Sequence, residues 1–204
     1  MVETQLRRRG IRDERVLTAM DEIPREQFIP VEARVSAYQD APIPIGFGQT
    51  ISQPYMTALM AEVLELTGLE TVLEIGAGSG YAAAVLGALA ARVVAIEIVP
   101  ALADVARDNL RRSGCGHNVS VICGDGSLGH LEMAPYDAIS VAAGAPDIPP
   151  ALLDQLREPG RLVIPVGERD DQELRVISRR EGRIDCRVAT LCRFVPLRGG
   201  EGWQ

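Results

Sequence analysis

The chain has 204 residues, 47% of them hydrophobic and 24% charged, with a net charge of −7. That length suffices for one core and is short for two. The acidic balance argues against nucleic acid as a partner.

The first seventy residues read as helical and irregular. Leu6 and Ile11 begin an apolar pattern, and the Arg7-Arg8-Arg9 triplet is expected to face solvent. Asp13 is placed to cap a helix through Arg15 to Met20. Pro24 and Pro30 bracket a short piece around Phe28. The stretch Ala41 to Thr50 holds two prolines and two glycines, which rules out a long helix and predicts an extended, shaped loop. Tyr55 to Leu66 has helical spacing, with Met56, Leu59, Met60, Val63 and Leu64 on one side and Gly68 as its stop.

From Thr71 the pattern alternates between strand and helix. The strands are Val72 to Ile75, Arg92 to Glu97, Val119 to Cys123, Tyr136 to Ala142 and Leu162 to Val166. The helices are Tyr81 to Leu89, Pro100 to about Arg112, and one opened by Pro149 and Pro150 through Leu156, with Asp147 as its cap. Short apolar strands divided by helices imply a mostly parallel sheet covered on both faces. Glu173 to Arg179 and Cys186 to Val195 alternate instead, as an antiparallel edge would.

In such a sheet, ligands bind beyond the carboxyl ends of the strands. The first strand runs into Gly76-Ala77-Gly78-Ser79-Gly80, a turn expected to offer backbone amides to a polar ligand. The second ends in Glu97, suited to accept from both hydroxyls of a ribose. The third is followed by Gly124-Asp125-Gly126, whose carboxylate can accept from the exocyclic amine of adenine. These three strand ends predict a nucleoside-containing cofactor. A dinucleotide is disfavoured, because the position where its fingerprint needs a third glycine is Tyr81. S-adenosylmethionine, with ribose, adenine and an amino-acid end but no pyrophosphate, suits the pattern better. Glu74, inside the apolar first strand, has two readings: it helps hold the donor's amino-acid end, or it is a structural carboxylate satisfied by backbone donors.

The residues also carry a family resemblance. Val72 to Tyr81, VLEIGAGSGY, resembles the first methyltransferase motif of the protein-L-isoaspartate O-methyltransferases. Pro44 to Tyr55, PIGFGQTISQPY, is similar to a loop particular to that family. Matches at Gly10 to Leu17, Pro24 to Pro30, Ala134 to Ile139, Gly160 to Gly167 and Phe194 to Leu197 extend the resemblance over nearly the whole chain. It implies a class I methyltransferase fold: a Rossmann-like α/β/α sandwich with a mostly parallel seven-stranded sheet and N-terminal helical additions. It also implies one domain over 1–204, made of a helical and substrate-loop part (1–70), a cofactor core (71–167) and C-terminal strands (168–204). The implied reaction moves the methyl of S-adenosylmethionine to the alpha-carboxylate of L-isoaspartyl residues in damaged proteins or peptides, leaving S-adenosylhomocysteine and initiating repair. By the same resemblance, Gly76, Gly78, Glu97, Asp125 and Gly126 line the donor, and Glu74 and Ala77 beside them are further candidates for the donor site. Thr50, Ile51, Ser52 and Gln53 belong to the acceptor loop, with Ser52 against the acceptor carboxylate. Two stretches depart from the family's pattern: Ser127 stands where a tryptophan is usual, and Val141-Ala142-Ala143-Gly144-Ala145-Pro146 lacks a usual threonine and adds a glycine.

Two other functions fit the donor pattern: methylation of another carboxylate or a small molecule, and donor binding without catalysis. No metal is expected, since the four cysteines form no Cys-x-x-Cys and only two histidines are present. No membrane partner is expected either, the longest apolar run (Tyr81 to Ala91) being too short to span a bilayer. Unpaired cysteines and the lack of a signal-like N-terminus imply a cytoplasmic protein, expected as a monomer.

Overall fold

The computed structural model describes residues 1–203, so Gln204 of the expected C-terminal part lies outside the described residues. Single turns at Val2–Leu6 and Arg7–Arg9 precede helix α1, Glu14–Glu22. Asp13 caps α1 as expected, its carboxylate accepting from the Arg15 amide at 2.8 Å. The arginine triplet is less free than expected: Arg8 is exposed, but Arg7 pairs with Glu3 and Glu14, and Arg9 pairs with Asp40. A single turn, Arg25–Phe28, and a two-turn 3-10 helix, Val31–Ser36, lead to strands β1 (Ile43–Gly46) and β2 (Gln49–Ile51).

These two strands pair antiparallel, so the expected loop is a hairpin. Phe47 (φ 53°) and Gly48 (φ 72°) supply the left-handed pair its turn needs. Pro44 is tolerated because a two-stranded ribbon has only edges. Helix α2, Pro54–Val63, follows. It stops well before Gly68, the chain reversing at Glu65 with φ 50°. Met60, Val63 and Leu64 are buried as expected, while Met56 and Leu59 are only half-buried.

The alternating region is β3 (Thr71–Ile75), α3 (Tyr81–Leu89), β4 (Arg92–Glu97), α4 (Pro100–Ser113), β5 (Val119–Cys123) and β6 (Tyr136–Val141). Then come α5 (Pro150–Asp154), β7 (Leu156–Gly167), β8 (Gln172–Arg180) and β9 (Arg183–Cys192). Helix α5 is shorter than expected because Leu156 pairs with Tyr136, whose amide donates to the Gln155 carbonyl. That pairing draws the chain into the sheet. Asp147 does not cap α5; it accepts from the adjacent Ile148 amide, and Pro149 holds the cap position.

Among the described residues the main sheet has seven strands in the order β5-β4-β3-β6-β7-β8-β9. The first five are parallel, and β7, β8 and β9 form an antiparallel meander. Val72 and Val93 face a core shared with α1, α2 and α3. Leu73, Ile75, Val94 and Ile96 face the opposite core, closed by Leu152 of α5. Burying each such side chain contributes about 1.5–3 kcal/mol, so both faces hold β3 at the centre. Cys123, at the end of an apolar strand, is exposed because β5 is an edge strand. No helix among the described residues is long and apolar enough to cross a membrane.

Candidate active site

The three strand ends converge as the sequence predicts. Strand β3 delivers Gly76 (φ 88°) and Gly78 (φ 54°) into a cleft. Glu97 of β4 and Gly126 beyond β5 line the same cleft. It measures about 760 Å³ counting its open mouth, within the range of small-molecule sites.

The turn works differently from the expectation. Four of its five amides are engaged within the protein, that of Ser79 having no acceptor among the described residues: Gly76 and Ala77 donate to the Ile96 carbonyl at 2.8 and 3.1 Å, and Gly80 donates to the Ala77 carbonyl. Gly78 donates to Glu97 Oε2 at 2.8 Å, and the Val99 amide donates to Oε1 at 2.9 Å. The turn therefore offers a ligand a wall of backbone shaped by Glu97, with the Ser79 amide still free to donate. Each oxygen of Glu97 still has a lone pair for a hydroxyl. Gly80 serves packing: with φ 87°, an added Cβ would come within 3.1 Å of the Ala106 carbonyl on α4.

Two predicted donor residues do not line the cleft. Glu74 is fully buried, and neither carboxylate oxygen has a hydrogen-bond partner. This excludes the reading in which backbone donors satisfy it. Burial first, then the nearby Glu97, raises its pKa well above the ordinary carboxylate range. Asp125 is engaged by the chain's own C-terminal segment. Its Oδ1 accepts from the Ser127 amide and hydroxyl at 2.9 and 2.7 Å, and its Oδ2 from the Gly200 amide at 2.8 Å. Partial burial opposes ionisation, but those hydrogen bonds outweigh it and hold the pKa below the usual value.

Both departures from the family pattern serve this C-terminal segment. Ser127 is fully buried, and its hydroxyl accepts from the Glu201 amide at 3.0 Å. The Gly144 carbonyl accepts from the Leu197 amide at 2.7 Å and from Trp203 Nε1 at 3.0 Å. A side chain at Gly144 would overlap the Gln172 amide group, which would have to move from its hydrogen bonds with Phe194. Val195 to Arg198, held by these ties, form one wall of the cleft. Nothing in the sequence pattern pointed to this wall.

The acceptor loop closes the opposite side. Thr50, Ile51 and Ser52 line the donor cleft; Thr50, Ser52 and Gln53 also line a second cleft with Arg9, Tyr55 and Leu191 to Val195. Ser52 thus stands where the two meet, and its hydroxyl makes no hydrogen bond among the described residues. Gln53 Nε2 donates to the Asp40 carbonyl at 3.0 Å, which fixes the loop's exit. Arg9, missed in the sequence, lies 3.6 Å from the Tyr55 ring centre and brings a cation to the second cleft. Among the described residues no group of three or more His, Cys, Asp or Glu could hold a metal ion.

A Rossmann-like sheet with glycines, an acid and Gly126 gathered at its strand ends defines a class I S-adenosylmethionine-dependent methyltransferase. Residues 1–202 match the family described as protein-L-isoaspartate(D-aspartate) O-methyltransferase, and the chain belongs to that family. It is 54% identical to the protein-L-isoaspartate O-methyltransferase of Methanoculleus marisnigri, covering 100% of this chain and 92% of the relative. It is 57% identical to protein-L-isoaspartate O-methyltransferase 2 of Marinobacter nauticus, covering 100% and 93%. Its fold is similar to that of a solved protein-L-isoaspartate O-methyltransferase, with TM-score 0.84, 31% identity, and 98% of this chain and 67% of the other covered. A Plasmodium falciparum candidate of the same enzyme class, solved with S-adenosyl-L-homocysteine, matches with TM-score 0.81, 30% identity, and 97% and 96% coverage.

Proposed function

We propose that this chain methylates the alpha-carboxylate of L-isoaspartyl residues, with Ser52 orienting the acceptor. The observation that carries the assignment of Ser52 is its place at the junction of the two clefts with an unengaged hydroxyl. S-adenosylmethionine supplies a methyl already activated on a sulfonium. The donor cleft fits such a ligand: it has a side-chain-free glycine wall, and Glu97 stands at the strand end where a ribose is met.

The acceptor carboxylate is ionised near neutral pH and needs no general base. What the protein must supply is alignment and exclusion of water. Ser52 donates one neutral hydrogen bond, enough to direct an oxygen without quenching its lone pair. Ile51 and Val195 to Leu197 give the reacting atoms apolar walls. The chain acts as one domain, a monomer in the cytoplasm, where its four free thiols stay reduced.

The test pairs methyl-labelled donor with peptides that differ only in aspartyl or isoaspartyl linkage. Label is expected on the isoaspartyl peptide alone; equal labelling of both would overturn the reading. In Ser52→Ala, kcat is expected to fall roughly tenfold to a hundredfold with donor affinity unchanged. That is less than the loss of an oxyanion-hole donor, because the acceptor already carries its charge in the ground state. Full turnover at saturating peptide would remove Ser52 from its role.

A further inference from the structure

We infer that Arg25 is a positioning residue for methyl transfer, a buried guanidinium that sets the acceptor loop against the donor turn. The inference rests on the reading of the two clefts given above.

Arg25 is 0% exposed, yet no carboxylate among the described residues forms an ion pair with it. Its Nη2 donates to the Ser52 carbonyl at 2.7 Å, and its Nε donates to the Ala37 carbonyl at 2.8 Å. Its guanidinium carbon lies 4.8 Å from the centre of the Tyr81 ring. Nη1 is buried with no partner. Tyr81 opens α3 directly after the glycine turn, and it lines the donor cleft together with Ser52. The cation therefore touches both walls of the reaction site without touching the cleft itself.

As a device for stability this arrangement is poor. Taking a cation out of water costs several kcal/mol, which an apolar side chain would avoid. Two neutral carbonyls and a ring return only part of that, and Nη1 is left unsatisfied. What the guanidinium does supply is geometry. Its planar fork fixes two main-chain oxygens in one plane while its face rests on an aromatic ring, which a lysine cannot reproduce. The two oxygens belong to separate irregular segments, Ala37 after a short 3-10 helix and Ser52 between β2 and α2. Neither segment has a regular ladder to hold its distance from β3. Tyr81 is itself immobilised: its ring meets Phe28 edge-on at 5.6 Å, and its hydroxyl lies 3.7 Å from Met20 sulfur. Displacing reacting atoms by about 1 Å can cost two orders of magnitude in rate, so a fixed spacer between Tyr81 and Ser52 acts on turnover.

The experiment compares wild type, Arg25→Lys and Arg25→Ala. Readouts are kcat and KM on the isoaspartyl peptide, donor affinity by calorimetry, and hydrogen exchange of two segments, 49–53 and 76–80. Arg25→Ala is expected to lose more than about tenfold in kcat with donor affinity nearly intact. Arg25→Lys should stay impaired, since it keeps the charge but not the fork. Added guanidinium ion at tens of millimolar should restore part of the Arg25→Ala turnover and none of the Ser52→Ala turnover. Exchange should quicken in 49–53 and not in 76–80. That exchange pattern reads the spacer even if wild type labels no isoaspartyl peptide, a result that would sink the substrate reading alone. Should Arg25→Ala not fold, Arg25→Lys carries the same readouts. Unchanged kcat in Arg25→Lys, or equal quickening of exchange in both segments without guanidinium rescue, would overturn the inference.

Discussion

Between residues 71 and 126, the donor side of the cleft is made of neighbouring strand ends whose backbone groups are satisfied by one another and by the carboxylate of Glu97. Ile96 accepts from Gly76 and Ala77, and Glu97 accepts from Gly78 and Val99. The acceptor side and the C-terminal wall are built from side chains that cross long stretches of sequence. Arg25 reaches Ser52, Asp40 holds Gln53 and Arg9, and Asp125 holds Gly200. A donor of constant shape can be met by a rigid ladder. An acceptor presented on many different proteins calls for segments held at a few points, which can give way between those points.

The largest test of that contrast falls on Glu97. Glu97→Ala leaves the Gly78 and Val99 amides without their acceptor and removes the carboxylate facing the ribose position. Donor affinity should fall by about two orders of magnitude, each lost hydrogen bond from a ribose hydroxyl to the charged carboxylate being worth about 1.5–3 kcal/mol. Calorimetry giving wild-type affinity would show that the turn holds itself. A smaller loss is expected from the opposite wall. In Gly199→Ala the new methyl would overlap the Asp125 carboxylate and displace the C-terminal segment. Donor affinity should drop about tenfold, roughly 1.4 kcal/mol, with KM for peptide little changed. If KM rises while donor affinity holds, that wall belongs to the acceptor side.

Glu74 offers a gentler probe, of stability rather than affinity. Its carboxyl pKa is raised in the folded protein by burial, then by Glu97. The folded state therefore holds a proton that the unfolded state has lost at pH above the ordinary value of 4.5. Stability from this group is fully present below that value and declines as pH rises toward the raised pKa, by at most about 1.4 kcal/mol per pH unit. Denaturant titrations of Glu74→Gln should lose that slope. An identical pH dependence in variant and wild type would mean that Glu74 ionises freely.

The same contrast explains what could be read from the chain. Strands β3 to β6 and helices α3 and α4 were legible because each is a contiguous apolar pattern with its own start and stop, such as Pro100 and Gly114. The strand-end positions of Gly76, Glu97 and Gly126 followed from that alternation. The hairpin at 43–51 was hidden because Pro44 and Gly46 argue against a strand, and only the cross-strand pairing of Ile43, Pro44 and Gly46 with Ile51, Thr50 and Gln49 defines it. The length of α5 depended on Tyr136 claiming Leu156, twenty residues away in sequence. The exposure of Cys123 was not legible, because an apolar strand does not reveal whether it lies at an edge. No local pattern could show that Asp125 and Ser127 meet residues 200 and 201, or that Arg25 meets Ser52.

The tie between Trp203 and Gly144 gives the protein a built-in optical reporter. Trp203 is the chain's single tryptophan. Its indole donates to Gly144, beside Ala143 of the donor cleft, and the Arg169 guanidinium lies 5.1 Å from its ring. The segment that carries it also forms the wall at Val195 to Arg198. Any rearrangement of that wall on donor binding alters the polarity around one indole, so its emission can follow occupancy of the site without a label.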